Sequence, residues 1–134
     1  MLLWLIPSAG GLFASAGKPI DLSLSKNKID VKHVNELLKS KPTILAINFS
    51  SPWVLDELEG DPTKTVLATF GTTTNALLDI VSGSYKPTGK LPFTIPVSQQ
   101  AVAESKSNVP GGREANGYAL FKFGDGLSYD SVDR

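Results

Sequence analysis

Hydrophobic positions in this chain come in short runs separated by polar, Gly- and Pro-rich stretches. Leu2 to Ile6 is the first run, stopped by Pro7, and its length predicts a buried β-strand. The same residues resemble the apolar heart of a signal peptide. They lack a basic leader, however, and the run is too short to span a bilayer. After a Gly/Ser/Ala-rich loop from Ser8 to Lys18, Ile20, Leu22 and Leu24 alternate with Asp21 and Ser23. That period of two predicts a brief extended segment with one buried face. Val31, Val34, Leu37 and Leu38 then recur at helical spacing, with Asp30 as N-cap, Lys39 and Lys41 suited to the negative C-terminal end, and Pro42 as a stop. Thr43 to Phe49 is a nearly continuous β-branched apolar run. Parallel strands covered on both faces read this way.

The pattern then repeats. Ser51 as N-cap and Pro52 at the first helical position predict a short helix to about Leu58, ended by Gly60-Asp61-Pro62. Thr65 to Phe70 predicts another strand, Gly71 a turn, and one of Thr72 to Thr74 a cap. The helix that follows has Ala76, Leu77, Ile80 and Val81 on one face and ends at Gly83. Strand and helix alternating in units of about thirty residues predict right-handed βαβ crossovers and a parallel sheet.

From Ser84 onward the pattern changes. Lys86 to Lys90 reads as a turn and Leu91 to Pro96 as an extended edge segment, since Pro92 and Pro96 cannot donate to a central ladder. Gln99 to Gly112 reads as a polar surface loop with one helical turn between Val97 and Glu104, and Tyr118 to Tyr129 alternates again. The expected fold class is therefore α/β: a parallel-sheet α/β sandwich with flanking helices, a long C-terminal loop and an extended tail. Residues 1–83 hold the βα units and 84–134 the closing turn, edge segment, loop and tail.

Composition narrows the chemistry. The 134 residues suffice for one core but not for a (β/α)₈ barrel of roughly 250 residues. Thirteen basic residues balance thirteen acidic ones, which argues against nucleic acid or an anionic membrane as partner. The chain has no cysteine and one histidine, His33, so disulfides, thiolate metal sites and His-rich metal sites are excluded, and no cofactor is expected. Neither strand-to-helix turn carries a glycine phosphate-binding fingerprint, and no Gly-x-Ser-x-Gly elbow occurs. His33 lies off the apolar stripe of its helix and reads as solvated. Asp56 and Glu59 would share a helix face at i, i+3, the kind of pair glycosidic cleavage uses, but a solvated polar face explains them and Asp79 more simply. Two weak candidates for substrate contact remain. Asp21 sits beside the flexible first loop, and Trp53 stands at the C-terminal edge of the expected sheet, where open α/β sheets bind ligands. Packing is the simpler role for Trp53, and Trp4 reads as core.

Taken in order, several pieces of this chain resemble the C-terminal domain of glycoside hydrolase family 3, the family of β-glucosidases and β-xylosidases. They are the strand Pro42 to Phe49, Ser51-Pro52-Trp53-Val54, Val66 to Gly71, Ala76 to Gly83, Pro87-Thr88-Gly89-Lys90-Leu91-Pro92-Phe93-Thr94-Ile95-Pro96 and Phe123-Gly124-Asp125-Gly126-Leu127-Ser128-Tyr129. The last two are the specific part. Pro87, Gly89, Leu91, Pro92, Phe93, Gly124, Gly126, Leu127 and Tyr129 are read as structural residues, the glycines for tight turns and the apolar ones for packing back on the sheet.

The resemblance implies a retaining glycosidase whose nucleophilic aspartate lies on a separate (β/α)₈ barrel, against which this domain packs to help shape a pocket for a β-linked saccharide. It also implies that the domain starts earlier than Leu2, so that this chain looks like its last two thirds. Some members carry a glutamate acid/base in the loop after the first matching strand. Pro7 to Pro19 contains no Asp or Glu, so no catalytic residue is assigned here. A secreted or periplasmic parent is compatible with the resemblance, and no signal peptide is recognised. A non-catalytic carbohydrate-binding or scaffold module is the alternative reading.

Overall fold

The computed structural model of the chain describes residues 1–8, 21–59, 66–104 and 117–127. Its centre is a three-stranded parallel sheet in the order β1-β2-β3, formed by Leu2–Leu5, Ile44–Asn48 and Val66–Thr69. Leu2 is level with Ile44, and Leu45 with Val66. Side chains alternate across a strand, and this register puts Leu3, Leu5, Leu45, Ile47, Phe49 and Val66 on one face. All of them belong to or pack on the main core.

Helix α1, Val31–Ser40, covers that face through Val34, Val31 and Leu38. The Asp30 carboxylate caps it by accepting the His33 N–H at 3.1 Å, satisfying an amide that has no partner within the helix. His33 itself is exposed. Helix α2, Thr74–Val81, follows β3. Thr73 is its cap, with Oγ1 accepting from the Ala76 N–H at 3.3 Å. Only Leu77 of the expected apolar stripe is buried; Ile80 and Val81 are half-buried and Ala76 is exposed.

A second, antiparallel pair joins β4, Ile95–Pro96, to β5, Ala119–Phe121. The prolines sit at the margin of a two-stranded ladder, as the sequence predicts for an edge segment. Between them α3, Gln99–Glu104, is the short helix expected there. Ile95 is buried in the main core and Leu120 and Phe121 pack on it, so this ribbon lies on the same face as α1.

Two expectations fail and a third holds only in part. Residues 51–59 contain no helix. Trp53, Val54 and Leu55 are consecutive and all buried, at 1%, 0% and 0% exposure. A helix turns only one stripe of its surface to a core, so three adjacent core residues call for an irregular plug instead. Val54 N–H donates to the Leu22 carbonyl at 2.8 Å, and Ser23 and Val54 form an isolated parallel bridge. The connection from β2 to β3 is thus non-helical among the described residues, and Asp56 and Glu59 are not on a common helix face. Both are exposed, and Glu59 pairs with Lys39 of α1.

The second failure is Trp4. It is half-buried and stands on the face opposite the main core, because it is level with Ala46 in the register. The period-two alternation is also imperfect: Leu24 is fully buried, but Ser23 is buried beside it at 8% exposure, and Ile20 lies outside the described residues. Ser8 to Lys18 and Tyr129 lie largely or wholly outside the described residues.

Candidate functional site at the C-terminal edge of the sheet

Because the three strands are parallel, their C-terminal ends open onto one edge. Residues 6–8, 49–51 and 70–73 emerge there. Asn48, the last residue of β2, ties the edge together. Its Oδ1 accepts the Gly71 N–H at 2.9 Å and the Thr69 hydroxyl at 3.4 Å, while Thr69 Oγ1 accepts the Trp4 Nε1–H at 3.1 Å. Gly71 makes its contact from φ +68°, a left-handed conformation that glycine adopts without strain. The Asn48 carbonyl accepts the Trp53 Nε1–H at 3.0 Å. With Oδ1 engaged twice, the Asn48 amide keeps its N–H groups available as donors, and no partner for them occurs among the described residues.

Aromatic rings flank this polar knot. Phe49 and Phe70 follow β2 and β3, and Phe93 comes from the Gly89-Lys90-Leu91-Pro92-Phe93 stretch. Their centroids are 5.9–6.3 Å apart, two of the three pairs edge to face, a favourable geometry for the ring quadrupoles. Phe49 is buried, whereas Phe70 is 46% exposed. The edge therefore offers amide donors, hydroxyls and an aromatic face, and no carboxylate lies on its segments. Such a surface can shape and hydrogen-bond a neutral ligand.

Asp21 is exposed in the loop before Ser23 and accepts from the Ser23 N–H at 2.9 Å and from the Ser23 hydroxyl. Asn27 links that loop to the sheet. Its side chain donates to the Asp21 carbonyl at 3.0 Å, and its carbonyl accepts the Ser8 N–H at 3.1 Å. Trp53 is part of the core, with its ring enclosed and its indole N–H on Asn48. The structure brings Trp53 to the edge network and leaves Asp21 in the adjoining loop. Asn48 and Thr69 were missed as site residues. Each is the polar residue at the end of an otherwise apolar run, and that interruption was the available signal.

Below Phe93 the two specific motifs clasp each other. Leu91 N–H donates to the Asp125 carbonyl and Gly124 N–H to the Leu91 carbonyl, both at 2.9 Å, while Lys90 Nζ reaches the Gly126 carbonyl at 3.1 Å. Asp125 Oδ2 accepts the Lys122 N–H at 2.8 Å and holds the turn, in which Gly124 has φ +85°. A Cβ on Gly126 would stand 2.4 Å from the Gly89 carbonyl oxygen. Gly89 itself has open space around it and no left-handed φ. Its contribution is the close approach of its carbonyl to Gly126. Leu91 and Phe93 pack on the core, and Leu127 is exposed.

This pairing of Pro87-to-Pro96 with Phe123-to-Leu127 gives the two motifs a common structural purpose, and residues 18–129 match the model of the glycosyl hydrolase family 3 C-terminal domain. The chain belongs to that family. It is 37% identical over 107 residues to "Probable beta-glucosidase C" of Aspergillus oryzae, covering 80% of this chain and 16% of the relative. It is 35% identical over 108 residues to "Beta-glucosidase C" of Emericella nidulans, covering 81% and 17%. Over 123 residues it is 27% identical to a "Periplasmic beta-glucosidase/beta-xylosidase" of Dickeya chrysanthemi, covering 92% and 18%. The chain thus spans about a sixth of the length of these curated relatives. Within this family 3 domain, no described helix is long and apolar enough to cross a membrane. No group of three or more His, Asp or Glu side chains converges among the described residues.

Proposed function

We propose that this chain serves as the C-terminal α/β domain of a retaining β-glycosidase, with the C-terminal edge of its sheet forming part of the wall of a sugar pocket. The observation that carries the reading is the family match together with relatives named as β-glucosidases. The chemistry of the edge supports it: a β-linked saccharide is neutral, hydroxyl-rich and has C–H faces, and the Asn48 amide offers hydrogen-bond donors for its hydroxyls and the 46% exposed Phe70 ring a surface for its C–H faces. Retention needs two carboxylates roughly 5 Å apart, one as nucleophile and one as acid then base. The edge segments hold neither. The nucleophile is assigned to a (β/α)₈ barrel partner, and Asp21 to the rim of the pocket.

On this reading the 134-residue chain alone turns over no aryl β-glucoside. The assay is release of p-nitrophenol from p-nitrophenyl β-glucoside by purified chain, with a full-length relative as the positive control. Hydrolysis above the uncatalysed rate that tracks the chain through purification would overturn it. Saturable sugar binding without turnover, in a chain that also fails to support activity when joined to a barrel, would favour the non-catalytic module.

A further inference from the structure

We infer that Thr69 and Trp4 are positioning residues for sugar binding: they lock the Asn48 amide in the one orientation that presents its NH2 group to a hydroxyl of the bound saccharide. The inference rests on the pocket-wall reading above and assigns residues to it. Asn48 closes β2, the central strand in the order β1-β2-β3, so strands of this chain flank it on both sides.

An indole N–H and a backbone N–H can only donate, and one of each anchors an end of the Asn48 network. At one end the Gly71 N–H, at 2.9 Å, requires an acceptor, so the amide atom facing it is Oδ1. At the other end the Trp4 Nε1–H occupies Thr69 Oγ1 at 3.1 Å. The Thr69 hydroxyl is left to donate, and Asn48 Oδ1 lies 3.4 Å away. A flipped amide would set its NH2 against the Gly71 N–H and leave the Thr69 proton without its acceptor. Both contacts to Oδ1 come from β3 and the turn after it, so Nδ2 is turned away from β3. No buried side-chain nitrogen or oxygen among the described residues lacks a partner, so this partnerless Nδ2 reaches solvent and is not an orphaned core group.

The register explains the reach of Trp4. It is level with Ala46, and Asn48 is level with Thr69, so all four side chains share the outer face. Ala46, at 0% exposure, carries only a methyl between Trp4 and β3, and the indole crosses over it. Thr69 is buried at 4% exposure, so its protein contacts rather than water orient its hydroxyl. Two N–H donors on an amide held from one side suit a ligand rich in neutral acceptors, and an amide already ordered does not pay that cost on binding.

The test uses a full-length chimera in which this chain replaces the matching segment of the Aspergillus oryzae relative. Asn48→Ala should raise KM for p-nitrophenyl β-glucoside about 3–10-fold, the factor for a lost neutral hydrogen bond, with kcat little changed. Thr69→Val keeps the side-chain shape without the hydroxyl and should raise KM by a smaller factor, Trp4→Phe by less again, and Thr69→Ser should restore it. One monodeoxy substrate should cost the wild type the same factor as Asn48→Ala and cost the variant nothing further. In this chain itself, the nitrogen order parameter of the Asn48 side-chain amide should fall in Thr69→Val and recover in Thr69→Ser. An active chimera whose KM is unmoved by Asn48→Ala would overturn the inference alone. So would a lower kcat at constant KM, which marks lost folded enzyme, and an unchanged order parameter in Thr69→Val, which marks an amide held without the hydroxyl. Equal responses of wild type and Asn48→Ala to every deoxy substrate would also overturn it, since they mark an amide that holds the barrel instead of the sugar. An inactive wild-type chimera would overturn the pocket-wall reading and the inference with it.

Discussion

Trp53→Ala should lower the unfolding free energy of the chain by about 3–5 kcal/mol, the range for deleting a fully enclosed tryptophan, read as a shift of the urea midpoint at constant slope. Trp53 is 1% exposed and belongs to the same core as Leu24, Ile47 and Leu55. Its loss leaves a large void. It also removes the indole donor from the Asn48 carbonyl, so the cavity opens directly beneath the network at the sheet edge. A domain of this size has a total stability of about 5–15 kcal/mol. The variant should therefore be partly unfolded at room temperature if the wild type lies near the lower limit. Trp53→Phe keeps much of the apolar volume and isolates the lost hydrogen bond; it should cost about 1–2 kcal/mol. Equal losses in the two variants would contradict the packing role.

The second large effect is expected at Gly126. An added Cβ would lie 2.4 Å from the Gly89 carbonyl oxygen and 3.1 Å from Lys90 Cδ. The lysine can move, but the carbonyl cannot without breaking the Leu91–Asp125 and Gly124–Leu91 backbone bonds. Gly126→Ala should thus destabilise by about 1–3 kcal/mol, as overpacking does. Gly89→Ala, with nothing within 4 Å of the new atom and no left-handed φ to satisfy, should be nearly neutral. The pair is informative because both glycines belong to family motifs, and the structure separates them. If Gly89→Ala were the more costly change, the close approach at Gly126 would not be what holds the clasp.

Much of the fold was legible because the strands are apolar runs with clear punctuation. Thr43 to Phe49 reads as a parallel strand and Ile44–Asn48 pairs parallel with both neighbours, although Ile44 on its outer face is 38% exposed among the described residues, and Asp30 and Thr73 cap where their side chains can reach the third amide along. The helix expected after Ser51 failed for a specific reason. Ser-Pro satisfies the local rules for a helix start, but Trp53-Val54-Leu55 is too continuously apolar for an amphipathic helix, and long-range contacts with Leu22 and Ser23 outweighed the capping signal. Trp4 was misplaced because a short apolar run does not reveal which side of a strand is core.

The site was harder to read than the fold. Asn48 and Thr69 lie 21 residues apart in sequence and meet only because β2 and β3 are adjacent and in register. Trp4 joins them from the other side of the sheet order. Nothing in local composition encodes that meeting. The motifs Pro87-to-Pro96 and Phe123-to-Leu127 were recognisable as pieces, yet their mutual clasp depends on a tertiary approach that only the coordinates of Gly89 and Gly126 reveal.

The central claim is that this chain supplies a domain to a β-glycosidase whose catalytic nucleophile lies elsewhere. Its most direct test is a chimera in which the matching segment of the Aspergillus oryzae relative is replaced by this chain, with p-nitrophenyl β-glucoside hydrolysis as the readout. The account predicts a folded chimera that retains β-glucosidase activity and loses it when the barrel nucleophile is removed. A folded chimera without activity would contradict it.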